Sequence, residues 1–315
     1  MKYYNLNIKI EEPASGGSTA AKTWLEERKA APIFFGEYTP DQLKSGGSPY
    51  GTKALNEAIC FMNLEPNQAD VNLVTIDSGC IWIYRISGQL RYGEEFQFFD
   101  SSGIRVVPKY FPIEVIAKLF IHEAPYILAA MKSSQAFARG TFTEINKDGS
   151  KYIGNVAAIN CVLGRTHGLA VNPLKCLSSV ELETLVAKIL EEHGAHVPAH
   201  RGAVLKDVDL FAEIESASPM LKSDFPNEKI ISVQVKIDIS STTDVKPLGK
   251  FLEKPGHMLV TTETVPNEEL MQICGPQRYK TTEWVQAQVN CLPKIRIWLE
   301  RSLQWLPKQA WRELL

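Results

Sequence analysis

The clearest periodicity in the chain lies between residues 177 and 239. Over residues 177–194, Leu182, Leu185, Val186, Ile189 and Leu190 fall on one stripe at about 100° per residue, which predicts an amphipathic helix. Ser178 or Ser179 can cap its start, and Gly194 stands where a left-handed residue would end it. Glu183 lies nearest the apolar stripe, roughly 20° round from Leu190, so one carboxylate is aimed near the core. Glu181, Glu191 and Glu192 point further away. Two runs with a period of two follow. In residues 206–214, Val208, Leu210, Ala212 and Ile214 share one face, and Asp207, Asp209, Phe211 and Glu213 share the other. In residues 230–239, Val233, Val235, Ile237 and Ile239 oppose Ser232, Gln234, Lys236 and Asp238. If these strands are neighbours, acids meet an amide and an ammonium, with the helix glutamate close by.

That combination suits phosphodiester hydrolysis. The reaction needs a hard divalent cation held by oxygens, a water activated by it, and a positive group near the developing phosphorane charge. Asp209 is the expected metal ligand, the Val235 carbonyl a second, and Glu183 a third, direct or through water. Lys236 would orient the water and offset charge, and Gln234 would hydrogen-bond near the metal. An ordinary solvated sheet face with cross-strand Asp–Lys pairs would produce similar triplets, so the polar face has to be located before the chemistry is credited.

Taken in order, Glu183 in Leu182-Glu-Thr-Leu-Val186, Gly194, Lys206-Asp-Val-Asp209, Gln234-Val-Lys236 and Gly256-His-Met-Leu-Val-Thr-Thr262 resemble the Mrr-like branch of the PD-(D/E)XK restriction nucleases over roughly residues 175–270. The third motif in that branch reads Gln-x-Lys. The chain departs from the pattern in its glycine-rich turn, here only Arg201-Gly202, and in Asp207, a second candidate for the metal aspartate. The resemblance implies an α/β restriction-endonuclease-like domain, a mixed sheet flanked by helices, that uses Mg²⁺ or Mn²⁺ to cut DNA. It also implies a homodimer, since two strands take two sites, and a role in restriction or other anti-phage defence. A partner protein or small-molecule activator is compatible with it. The competing expectation is a non-catalytic, nuclease-derived binding or assembly subunit in which Gln234 marks a weakened metal site; an RNA-directed nuclease is a third.

The first half reads differently. Residues 1–10 alternate as a strand, 13–18 form a loop and 18–29 a short helix. Residues 45–53 carry spaced glycines before Lys53, but Thr52 precedes the lysine and no apolar strand leads in, so this is not a phosphate-binding loop. Residues 71–76, 80–86 and 95–99 are expected strands and 112–119 a helix. Residues 141–145 and 152–159 are expected strands of a hairpin around Asn146-Lys-Asp-Gly149. The result is a small α+β or barrel-like domain. Its Trp82, Tyr84, Tyr92, Phe96, Phe98, Phe99, Tyr110 and Phe111 either form core or line a pocket that stacks a base. The expected organisation is a recognition or sensor domain over 1–163, a linker over 164–176, the nuclease domain over 177–280 and a helical segment over 281–315. That last segment, broken at Pro293 and Pro307, can pack on the nuclease core, meet a second subunit or track phosphates.

Composition narrows the class. With 315 residues, 44% of them hydrophobic and 22% charged, the chain suits a two-domain globular protein, and a net charge of −2 excludes a wholesale basic nucleic-acid binder. The six cysteines lack zinc-like spacing and read as reduced core thiols. His193, His196 and His200 cluster, but their spacing straddles a helix end and Pro198, which argues against shared zinc ligation. His167 reads as solvent-exposed. No leader pattern or membrane-length apolar run is present, which predicts a cytoplasmic location and no membrane partner.

Overall fold

The computed structural model describes residues 1–8, 20–46, 50–66, 70–96, 98–99, 103–133, 140–145, 152–166, 169, 171–198, 208–215, 218–239 and 242–311. Contacts divide the chain into unit 1, Met1–Gly149 with Val162–Arg165, and unit 2, Ser150–Cys161 with Thr166–Leu315.

Unit 1 is built on β1 (Lys2–Leu6), β2 (Ala30–Phe34), β3 (Val71–Asp77), β4 (Cys80–Ile86), β5 (Arg91–Tyr92), β8 (Pro108–Phe120) and β9 (Phe142–Glu144). They form a mixed sheet in the order β2-β8-β4-β3-β1-β9, with β5 also on β8. A short hairpin, β6 (Phe98–Phe99) with β7 (Arg105–Val106), stands apart. The helices are α1 (Ala20–Lys22), continued by a π-turn over Thr23–Glu27, then α2 (Pro40–Lys44), α3 (Thr52–Met62) and α4 (Tyr126–Ala129). The helix expected over 112–119 is instead the far half of β8. Phe111 and Ile113 face inward while Glu114 and Lys118 face out, and β8 pairs with β2 through Pro108 to Pro112 and then with β4 through Ile113 to Phe120. A period of two, paired along its length with β4, outweighs a short helical pattern. Of the strand expected over 95–99, only β6 forms among the described residues. The turn residues Asn146 to Gly149 lie outside the described residues, as do 13–18 and 47–49.

Unit 2 opens with α5 (Ile153–Val162), where a strand was expected over 152–159. Ala157 and Ala158 favour helix, and Gly154, Asn155, Ala157, Ala158 and Ile159 are buried. Apolar residues lie all round it, with Asn155 and Asn160 among them, so it has no amphipathic phase. Within 164–176, residues Pro173–Cys176 form a 3₁₀ turn whose Leu174 and Cys176 are buried in the unit 2 core; His167 is outside the described residues. Then come α6 (Ser179–Glu192), β10 (Ala195–His196), β11 (Leu210–Ile214), α7 (Pro219–Asp224), β12 (Ile230–Lys236), α8 (Thr242–Leu252), β13 (His257–Thr261), α9 (Glu268–Arg278), β14 (Tyr279–Lys280), α10 (Thr282–Cys291) and α11 (Pro293–Ser302). The sheet order is β10-β11-β12-β13-β14, antiparallel across the first three strands and parallel across the last three.

Helices cover both faces of this sheet, which makes unit 2 an α/β fold. On one face Leu182, Leu185, Val186 and Ile189 of α6 pack with Leu210, Ala212, Val233, Val235 and Val260, joined by Val285 and Val289 of α10 and Ile295 and Leu299 of α11. The C-terminal segment is therefore part of this core. On the other face Leu248, Phe251 and Leu252 of α8 pack with Leu259 and with Leu270 of α9. Val208 and Ile239, expected to share a face with Leu210 and Val233, instead join this second cluster. Both chains change face where the β11–β12 pairing ends, and the polar residues lie at that end.

Candidate active site

The phase of α6 is set at its first turn. Ser178 Oγ accepts from Glu181 N–H and the Glu181 carboxylate accepts from Ser178 N–H, a reciprocal cap that satisfies two end donors. Gly194, at φ 81°, ends the helix as expected. Burying the leucine stripe then leaves Glu183 half-buried at its edge. Burial pushes the Glu183 carboxyl up to about 7; the neighbouring Asp209 charge adds to the rise and Lys236 opposes it. The three side chains therefore feel one another at one place.

Asp209 directly precedes β11. Its N–H donates to the Val233 carbonyl (2.9 Å), and its Oδ2 accepts from the Val235 N–H (2.7 Å). Its Oδ1 makes no hydrogen bond with a described residue. Backbone groups of alternate strand residues point to opposite neighbours. Ser232 N–H and the Lys236 carbonyl bond to the β13 side, through Gly256 and Thr262, so Val233 and Val235 face the β11 side. The Val235 carbonyl is thus directed toward the side that holds Asp209. Asp207 lies outside the described residues, with Lys206, Arg201 and Gly202.

Gln234 and Lys236 register with Leu259 and Thr261 across the parallel pair. Gln234 is only 5% exposed, and its register partner Leu259 packs under α8 and α9, so at Gln234 this side of β12 is not a solvated sheet surface. Its Oε1 is buried with no hydrogen-bond partner among the described residues. Leaving such an acceptor unpaired costs about 1–3 kcal/mol. Among the described residues, Lys236 makes no ion pair within 4 Å.

The donor set at this end is all oxygen: the Glu183 and Asp209 carboxylates, the Val235 carbonyl and the Gln234 amide. Hard cations such as Mg²⁺ or Mn²⁺ suit such a set, and softer thiolate-seeking metals do not. Among the described residues no three His, Cys, Asp or Glu side chains form a metal-holding group, so a cation here would depend on the amide and backbone oxygens. Of the histidines expected to cluster, His193 pairs with Gln288, His196 is exposed, and His200 is outside the described residues.

Two features of this end were not read from sequence. Lys175 pairs with Asp238 at 2.9 Å, in a largely buried contact. Glu263 accepts from the Ile239 N–H and from the Tyr279 hydroxyl. Asp238 shared the polar side of its run and was a signal for the first; nothing local announced Glu263.

Elsewhere, Trp82, Tyr84, Phe98 and Phe111 are buried core, Tyr92, Phe96 and Tyr110 are half-buried, and Phe99 is exposed. Cys80, Cys176 and Cys274 are buried free thiols, whereas Cys60 and Cys291 are exposed, so the cysteines are not all core. Among the described residues no helix is long and apolar enough to cross a membrane. Comparison with known proteins returned no matching family model, no matching curated protein and no matching solved structure.

Proposed function

We propose that unit 2 is a restriction-endonuclease-like domain that hydrolyses DNA phosphodiester bonds with a divalent cation, and that unit 1 serves recognition or sensing in restriction or anti-phage defence. The observation that carries this reading is the convergence of Glu183, Asp209 and Lys236 at one end of the sheet, on whose strand β12 the buried Gln234 Oε1 has no hydrogen-bond partner among the described residues. A carboxylate pair beside an ammonium, with a spare oxygen acceptor on the same strand, is what a cation-assisted phosphodiester site needs. Glu183, Asp209, Val235 and Gln234 would hold Mg²⁺ or Mn²⁺, which when bound polarises the phosphate and offsets transition-state charge.

The chain's own groups then divide the work. Asp209, pinned through Oδ2 by the Val235 N–H, presents its other oxygen from a fixed position. Lys236 places an ammonium where negative charge develops and donates to a phosphate oxygen or the incoming water. Glu183, raised to about 7, exchanges a proton near neutral pH. A cytoplasmic homodimer would supply one such site per strand.

One observation favours a second reading, a nuclease-derived binding or assembly subunit: an amide stands where a carboxylate would hold a cation more tightly, and no third acidic ligand is present among the described residues. The discriminating experiment is cleavage of supercoiled plasmid and phage genomic DNA with Mg²⁺, Mn²⁺ or EDTA, comparing the native chain with Lys236→Ala, and calorimetric titration of Mg²⁺. Metal-dependent cutting lost in the variant is the expected result. Cation binding without cutting on any substrate would select the binding subunit, and neither would sink both.

A further inference from the structure

We propose that Glu263 is a positioning residue of this site, holding the Lys236 ammonium in place by clamping the chain that follows it. Lys236 ends β12, and within the next three residues the backbone turns: Ile237 packs against the α6 side of the sheet and Ile239 against the α8 and α9 side. Such a turn beside a flexible lysine spoils its aim unless the backbone is held, because catalytic groups must stay within about 0.5 Å of their working geometry.

The turn is held at each residue. The Lys236 carbonyl accepts from the Thr262 N–H (3.2 Å), and the Ile237 carbonyl accepts from the Thr262 hydroxyl. Asp238 pairs with Lys175. The Ile239 N–H donates to Glu263 Oε1 (3.1 Å). Glu263 is itself immobilised: Oε2 accepts from the Tyr279 hydroxyl (2.7 Å), and the Glu263 carbonyl accepts from the Thr282 N–H (2.9 Å) at the start of α10. The Tyr279 oxygen in turn accepts from the N–H of Asn267, the N-cap of α9. Glu263 therefore ties the turn after Lys236 to β14 and to two helix starts, at the carboxyl ends of the parallel strands. Both its oxygens are engaged by protein donors, so its part is support and not ligation. Charge-assisted bonds of this kind are about twice as strong as neutral ones.

The test compares Glu263→Ala, Glu263→Gln and Tyr279→Phe in the full chain, with thermal unfolding as the folding control. Two readouts do not require nuclease activity: amide exchange at Ile239, and acylation of Lys236 Nζ read by mass spectrometry. In Glu263→Ala, exchange at Ile239 is expected to rise about tenfold or more, and Lys236 labelling to change about threefold. Glu263→Gln retains an oxygen for the Ile239 N–H and is expected to restore most of both; Tyr279→Phe falls between. The activity arm alone rests on the nuclease reading: kcat is expected to fall about ten- to hundredfold with KM and Mg²⁺ affinity within about twofold. Unchanged exchange and labelling in folded Glu263→Ala would overturn the proposal. So would faster exchange with unchanged labelling and, where the wild type cuts, unchanged kcat. A wild type that cuts no DNA would defeat the nuclease reading while the exchange and labelling arms still decide the role of Glu263.

Discussion

Lys109 on β8 of unit 1 and Gln234 on β12 of unit 2 both point into the covered face of a sheet, and the two units treat them oppositely. Lys109 is fully buried, and its ammonium donates to the carbonyls of Phe35, Gly36 and Val107, each at 2.9 Å, with the Tyr92 ring 5.4 Å away. Every donor is used. Gly36, at φ +51°, supplies the bend that brings successive carbonyls to the same ammonium. Burial lowers the Lys109 pKa to about 7, while the three carbonyls favour the charged form. Among the described residues Gln234 has no such provision for its oxygen. The contrast extends to the rest of each unit. Among the described residues the unpaired buried side-chain atoms of unit 1 are nitrogens, on Asn5, Trp24, Asn72 and Arg105, whereas those of unit 2 include the oxygens of Gln234 and Asp238. Nitrogen donors cannot hold a cation; carbonyl and carboxylate oxygens can. Complete polar satisfaction marks a scaffold element, and an unsatisfied acceptor among charges marks a candidate site.

The contrast can be broken by substitution. Lys236→Ala has the largest expected effect, a loss of about 10³-fold in cleavage with an unchanged unfolding temperature; intact cleavage would remove Lys236 from the site. Lys109→Met strands three buried carbonyls and is expected to destabilise unit 1 by about 3 kcal/mol in denaturant unfolding, with no change in Mg²⁺ affinity. A cost well under 1 kcal/mol would mean the carbonyls rehydrate and the scaffold reading of Lys109 is wrong.

The pH dependence has opposite signs in the two units. Glu183 is raised from about 4.5 to about 7, so the folded state binds the extra proton between those values, and metal-free stability falls as pH rises through that window. Glu183→Gln is expected to flatten the slope, a difference on the order of 2 kcal/mol by pH 8. Lys109, lowered from 10.5 to about 7, leaves the unfolded chain holding the extra proton, so its contribution grows as pH rises from 7 toward 10.5. Unfolding midpoints across pH 4 to 10 in both variants separate the two slopes. The smallest expected effect is that of Gln234→Leu. Removing an unpaired acceptor is expected to stabilise the metal-free protein by about 1 kcal/mol while abolishing its thermal shift with Mg²⁺. A destabilised variant that keeps the shift would show that the amide serves the core.

Much of unit 2 was legible along the chain. The leucine stripe of α6, its serine cap and the closing Gly194 follow from helical geometry, and the placement of Glu183 at the stripe's edge is simple angular arithmetic. Alternation in β11 and β12 paired Leu210 with Ala212 and Gln234 with Lys236 for the same reason. Errors came where one pattern served two structures. The β8 residues 112–119 alternate and also fit a short helix, and only pairing with β4 decided for strand; α5, with apolar residues all round it and Asn155 and Asn160 among them, carried no phase.

The sequence by itself determined which side chains share a face, because that depends on backbone periods of 3.6 and 2 residues. It did not determine what covers a face. That Gln234 is buried, that Val208 and Ile239 cross to the second core, and that Lys175 and Glu263 reach the turn after Lys236 were decided by tertiary structure. The Glu263 and Lys175 contacts join residues 24 and 63 positions apart, and no local period encodes a partner at that distance.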